Sequence, residues 1–119
     1  DVLIHAVCDA LLGAAGMGDI GDLFPDTDPA YRGIDSRILL KTCGQKVAEA
    51  GYRILNIDCT VFAQVPKLGH RKLEMAESIA QSLVLTPRLV NVKATTTEGM
   101  GFEGAGEGAS AMAVATVVG

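Results

Sequence analysis

Tyr52-Arg53-Ile54-Leu55-Asn56-Ile57-Asp58-Cys59-Thr60-Val61-Phe62-Ala63-Gln64 is the segment that decides the fold. Leu55, Ile57, Cys59, Val61 and Ala63 alternate with Asn56, Asp58, Thr60, Phe62 and Gln64, the period of a strand with one face buried. Upstream, Asp35-Ser36 predicts a helix cap, with a helix running to about Ala50 and Gly51 as its stop. Its apolar stripe is Leu39, Leu40, Cys43, Val47 and Ala50. Downstream, a helix is predicted from His70 to about Leu83, with Leu73, Ala76, Ile79, Ala80 and Leu83 facing inward. Thr86-Pro87 breaks the chain ahead of a second strand over residues 89–95. The chain opens on an Ala- and Leu-rich helix over Val2 to Ala15 and ends on Ala109 to Val118, whose β-branched close favours a strand. The order helix, loop, helix, strand, helix, strand, loop, strand predicts an α+β fold, a sheet layered against helices.

A length of 119 residues bounds the chain to one domain. The hydrophobic share is 49%, high enough for some apolar surface to face partner subunits, because a domain this small buries only about two-thirds of the surface its unfolded chain exposes. A net charge of −4 without a basic run argues against sequence-independent nucleic-acid binding. No apolar run is long enough to span a membrane as a helix, and no signal peptide is visible. Cys8, Cys43 and Cys59 are odd in number, widely spaced and set in apolar stretches, which predicts buried free thiols in a reducing compartment.

Four stretches carry recognisable chemistry. Lys93-Ala94-Thr95-Thr96-Thr97-Glu98-Gly99-Met100-Gly101-Phe102 leaves the second strand with three hydroxyls in a row, a carboxylate and sharp glycine turns. Hydroxyls and amides suit phosphate oxygens, and a carboxylate suits a hard cation that also holds phosphate; the plain alternative is a hairpin loop. On the first helix, Asp1, His5 and Asp9 stand four residues apart along one face. A carboxylate can orient an imidazole toward a metal, and Asp9 is assigned that role by spacing; the alternative is a hydrogen-bonded surface histidine, since a zinc site needs three or four ligands. The long loop Met17 to Gly33 carries Asp19, Asp22, Asp26 and Asp28 with Phe24-Pro25 as an apolar pin. Its carboxylates can accept bonds from polyol hydroxyls, or form ordinary Asx turns. The turn Ala63-Gln64-Val65-Pro66-Lys67-Leu68-Gly69 at a strand end can hold a planar base or be a turn alone.

Taken together, Asp1-Val2, His5-Ala6, Asp9-Ala10-Leu11-Leu12-Gly13-Ala14, Gly18-Asp19-Ile20-Gly21, Phe24-Pro25-Asp26-Thr27-Asp28, Pro66-Lys67, Val90-Asn91-Val92-Lys93-Ala94-Thr95-Thr96-Thr97-Glu98, Gly101-Phe102 and Gly106-Glu107-Gly108 resemble the 2-C-methyl-D-erythritol 2,4-cyclodiphosphate synthase family. The likeness runs in unbroken order along essentially the whole chain. It implies an α+β protomer with helices on one face of a mixed sheet, ferredoxin-like in layering and assembled as a homotrimer with active sites between subunits. It implies a cyclising phosphorus–oxygen lyase of the non-mevalonate isoprenoid pathway, which converts 4-diphosphocytidyl-2-C-methyl-D-erythritol 2-phosphate to the cyclic diphosphate and releases CMP. Bacterial cytoplasm and plastid stroma both suit the family, and neither nucleic acid nor membrane is an expected partner.

Residue by residue, the resemblance implies that His5 is a ligand of Zn²⁺ or another divalent metal and that Glu98 holds Mg²⁺ or Mn²⁺ at the diphosphate. Asp19, Ile20 and Gly21, then Phe24, Pro25, Asp26, Thr27 and Asp28, match the methylerythritol loop. Ala63, Gln64, Val65, Pro66, Lys67, Leu68 and Gly69, with Ala94 and Thr96, match the cytidine pocket. Thr95, Thr96, Thr97 and Glu98 match the phosphate run, Thr96 being the transition-state stabiliser, and Phe102 matches a substrate-proximal aromatic. The reacting nucleophile belongs to the substrate, so no protein nucleophile is required, and positioning with charge neutralisation carries the reaction.

The resemblance further implies that residues 1–119 form a single catalytic domain lacking the family's N-terminal strand and hairpin. Those bear two more zinc ligands and a histidine–serine pair. Ala105 stands where the family commonly has an arginine near the trimer axis, which argues against isoprenoid-diphosphate binding in the central cavity. The rival reading is a non-catalytic trimeric protein binding a nucleotide or an isoprenoid diphosphate on the same scaffold.

Overall fold

The alternating segment becomes the middle strand of the sheet. The computed structural model describes residues 2–24, 35–63, 70–95 and 109–119. In chain order the elements are α1 (Val2–Ala14), the short α2 (Ile20–Leu23), α3 (Ser36–Glu49), β1 (Arg53–Phe62), α4 (Lys72–Leu83), β2 (Val90–Thr95) and β3 (Ser110–Val118). A 3-10 turn, Pro87–Leu89, leads into β2. The sheet order is β2-β1-β3, with β1 parallel to β2 and antiparallel to β3. A parallel pair needs a crossover, which α4 supplies between β1 and β2. The fold is thus α+β with a mixed three-stranded sheet, as the order of elements predicts.

Register sorts the two faces. Val90, Ile57 and Ala115 form one inward row; Val92, Cys59 and Ala113 form the next; Ala94, Val61 and Ala111 form the third. All of these but Ala94 join the core with Leu3, Val7, Leu11 and Leu12 of α1, Leu39, Leu40 and Val47 of α3, and Ala76, Ile79 and Ala80 of α4. Of the strands, α1 lies closest to β3 and α4 to β2, while α3 bridges the two helices. The β3 residues beneath α1 are Ala111, Ala113 and Ala115, and their small side chains let helix and strand approach closely.

The other sheet face is open among the described residues. Met112, Val114 and Val118 are 59%, 61% and 39% exposed, so half of this face is apolar. The other half is polar: Asp58 accepts from Lys93 Nζ at 2.9 Å and from Asn91 Nδ2 at 3.1 Å. The hydrogen bond from Lys93, helped by Asn91, holds the Asp58 carboxyl below its usual range.

Three packing expectations are corrected. Leu55 does not join the inward set: a bulge between Ile54 and Asn56 lets Ile54 take the core side and leaves Leu55 exposed. The extra residue shifts the alternation by one, which flips every side chain before it. Leu73 is 78% exposed, because the first turn of α4 precedes its packed face and Met75 turns inward instead. Ala50 is the exposed C-cap of α3 rather than part of its stripe.

All three cysteines are buried and unbridged. Cys8 of α1 and Cys43 of α3 share a hydrogen bond, which together with burial raises the Cys8 thiol far above the ordinary range. Burial pushes Cys59 up to about 11. Raised thiols are poor nucleophiles, so Cys8 and Cys59 serve packing; the hydrogen bond with Cys8 lowers the Cys43 thiol instead, and Cys43 is fully buried in the core.

Candidate active site

The expected site residues that are described fall into two groups. The first is built on α1. Leu3, Val7, Cys8, Leu11 and Leu12 are buried and anchor the helix. His5 and Asp9 lie one turn apart on its exposed face. Asp9 does not orient His5, as its spacing suggested: no hydrogen bond joins the two, and Asp9 Oδ1 accepts from the Ile20 backbone N–H at 2.8 Å.

That bond ties α1 to the loop carrying Asp19, Ile20, Gly21 and Phe24. Asp19 is the N-cap of α2, and Asp19 and Asp22 form a reciprocal capping box. Asp19 Oδ1 accepts from the Asp22 N–H at 3.0 Å, and Asp22 Oδ2 accepts from the Asp19 N–H at 3.2 Å. Phe24 is buried at 5% exposure and its N–H donates to the Ile20 carbonyl at 2.7 Å. The described part of the loop is therefore held at two points, by a carboxylate at Ile20 and an apolar pin at Phe24. Gly18 enters this turn at φ +81, and a side chain there would collide with the Asp22 carboxylate.

Gly18→Ala should accordingly strain the turn and break the capping box. A left-handed backbone alone costs a non-glycine residue about 1–2 kcal/mol. We expect a rise in substrate KM of roughly tenfold and little change in metal content; an unchanged KM would show that this turn is not needed for binding.

The second group is at the carboxyl ends of the parallel pair. Phe62 lies opposite Thr95 in register, and the Ala63 N–H donates to the Thr95 carbonyl at 3.0 Å. Ala63 is buried, Ala94 half-buried and Thr95 exposed. The strand ends that precede the stretches expected to hold a base and phosphate are thus neighbours. Crevices outside strand carboxyl ends are the usual ligand position in open parallel sheets. No hydrogen bond joins the two groups among the described residues. With α1 over β3 and the second group on β1 and β2, they lie toward opposite edges of the sheet.

Pro25, Asp26, Thr27, Asp28, Gln64, Val65, Pro66, Lys67, Leu68, Gly69, Thr96, Thr97, Glu98 and Phe102 lie outside the described residues. Among the described residues no three His, Cys, Asp or Glu side chains are grouped closely enough to hold a metal ion. His5 fits as one ligand, being an exposed imidazole on a well-anchored helix. Sequence reading missed two contacts of the candidate site, the Asp19–Asp22 box and the Asp9–Ile20 bond. The spacing Asp-x-x-Asp ahead of an apolar residue signals the first; nothing local signals the second.

Comparison with known proteins gives one answer. The YgbB family profile matches residues 1–118. The chain is 61% identical over 115 residues to a 2-C-methyl-D-erythritol 2,4-cyclodiphosphate synthase from Methylococcus capsulatus, covering 97% of this chain and 73% of that protein. It is 58% identical to the synthase of that name from Desulfatibacillum aliphaticivorans, covering 97% and 74%. Among solved structures, the bifunctional IspDF of Campylobacter jejuni aligns with a TM-score of 0.91 and 48% identity, over 98% of this chain and 31% of that one. A CDP complex of IspF from Plasmodium falciparum aligns with a TM-score of 0.83 and 30% identity, over 98% and 69%.

Proposed function

The chain belongs to the YgbB family and has its cyclodiphosphate synthase role in isoprenoid biosynthesis; on that premise we propose how its residues act. The reaction folds 4-diphosphocytidyl-2-C-methyl-D-erythritol 2-phosphate so that its 2-phosphate oxygen attacks the β-phosphorus of its own diphosphate. The new phosphorus–oxygen bond closes the ring, the bond to the α-phosphate oxygen breaks, and CMP departs with that electron pair. The enzyme's task is to hold a flexible polyanion in reactive geometry.

The observation that carries this reading is the pairing of Ala63 with Thr95 beside the exposed Thr95 strand end. It brings together the two strand ends from which the proposed base-holding turn and phosphate run continue. Cytidine lies against Ala63, the turn at 64–69 and Ala94, and the α-phosphate lies against Thr95, Thr96 and Thr97. The methylerythritol moiety lies against Asp19, Ile20 and Gly21 and the Phe24 to Asp28 stretch. Phe102 closes the substrate side. Bound CDP in the relative from Plasmodium falciparum agrees with a nucleotide of this class. The non-catalytic alternative is not favoured, since the similar proteins above are synthases.

His5 is one ligand of a divalent ion, Zn²⁺ by its imidazole chemistry, with the remaining ligands outside the described residues; Glu98 is the carboxylate ligand of Mg²⁺ or Mn²⁺. Bound there, such cations supply charge neutralisation to the crowded phosphates. Thr96 holds the α-phosphate as charge builds on its leaving oxygen.

Assembly is part of the same reading. The protomer, with ferredoxin-like layering, uses its open apolar sheet face to form a homotrimer. That brings the α1 group of one copy near the strand-end group of the next, which suits two half-sites lying toward opposite edges.

The deciding experiment incubates full-length protein with substrate and divalent metal and follows CMP; no CMP from folded, metal-loaded protein would end the reading. Glu98→Gln should lower turnover on the order of a hundredfold, the scale for losing one group that stabilises transition-state charge. Equal turnover by variant and wild type across Mg²⁺ concentrations would reject the role of Glu98.

A further inference from the structure

We infer that Asp9 is a positioning residue for the polyol-binding loop, fastening it to the helix that carries the metal ligand; this rests on the function proposed above. Asp9 Oδ1 takes the Ile20 N–H at 2.8 Å across eleven residues of chain, and a carboxylate is a stronger acceptor for such a donor than a neutral oxygen. Ile20 is the first residue of α2, and its neighbour Asp19 is the N-cap of that helix. The capping box between Asp19 and Asp22 is wholly local, so it fixes the shape of the turn but not its place on the protein. Phe24 fixes the last residue of this described turn by burial. Asp9 fixes the near end.

The consequence is geometric. Residues four apart on a helix lie about 5–6 Å from each other at Cβ, so the loop clamp and His5 are one turn apart on the same rigid element. Substrate bound through Asp19, Ile20 and Gly21 is thereby set at a constant offset from the ion at His5. With its Oδ1 engaged by the Ile20 N–H, Asp9 is assigned a contribution to binding geometry.

Asp9→Ala in the full chain should raise substrate KM roughly tenfold, the scale of one charge-assisted hydrogen bond, with kcat within about threefold of wild type. Divalent metal content should match wild type. Asp9→Asn should recover most of the KM, because its amide oxygen can accept from the same N–H. Hydrogen exchange at the Ile20 amide, read without substrate, should accelerate in Asp9→Ala and not in Asp9→Asn. Unchanged exchange at Ile20 in Asp9→Ala overturns the inference whatever the enzyme's activity, as does loss of bound metal with KM unchanged, which would make Asp9 a partner of His5. A wild-type protein releasing no CMP would instead remove the functional reading and leave the Ile20 exchange result standing.

Discussion

Replacing His5 with alanine is expected to remove the bound divalent ion and to suppress CMP release while the fold persists. His5 is exposed on α1, and the residues that anchor the helix, among them Val7, Cys8, Leu11 and Leu12, are fully buried. An exposed side chain without packing duties changes stability by about 0.5 kcal/mol or less. Metal affinity responds very differently. Removing even an outer partner of a metal ligand typically costs 10–100-fold, so removing the ligand itself should cost more than about a hundredfold. Elemental analysis of purified protein, paired with a thermal melt, separates the two effects. Wild-type metal content in folded His5→Ala would remove His5 from the site. A collapse of the melt instead would mean that the ring stabilises the helix.

Val114→Asp is expected to break the assembly and, with it, turnover. Val114 is at the middle of the open sheet face and 61% exposed in the protomer, so a carboxylate there can stay hydrated while the single chain folds. Its cross-strand neighbour is Asp58, already engaged by Lys93 and Asn91. Buried between subunits, the new charge would lie across from the Asp58 carboxylate, whose Lys93 is already engaged, and desolvating such an ion costs several kcal/mol. Light scattering should show the mass falling from three chains to one, and CMP release should fall with it if, as proposed, each site draws on two copies. A variant that stays trimeric would show that this face is not the interface. A wild-type protein running at the mass of one chain would remove the assembly itself.

Much of this architecture was readable in advance because its signals are local. Asp35 announces α3 by capping it, and its side chain accepts from the Arg37 N–H at 2.8 Å as a cap should. The alternation from Ile57 to Val61 survives as alternating burial. The β-branched close of the chain, Thr116-Val117-Val118, does become strand. What escaped notice depends on partners distant in sequence or on an extra residue. The bulge at Leu55 leaves no mark in an apolar stretch where Ile54 and Leu55 are equally plausible core residues. The four residues of α2 are too few to display a helical period. The carboxylate of Asp9 could not be assigned between His5 and Ile20 by spacing, since a helix face shows only near neighbours and the loop returns from eleven residues away. The resemblance supplied the functional roles that pattern alone left open.

The row of alanines beneath α1 has a consequence for reading mutational data. Ala111, Ala113 and Ala115 set the height at which α1 rides above β3. Each added methylene at those positions would have to be accommodated by lifting the helix, because close-packed interiors do not absorb volume silently. A lifted helix carries the imidazole and its loop clamp with it. Substitutions in the last strand can therefore mimic active-site lesions without any of the altered residues meeting a ligand, and losses of activity mapped there measure elevation, not chemistry.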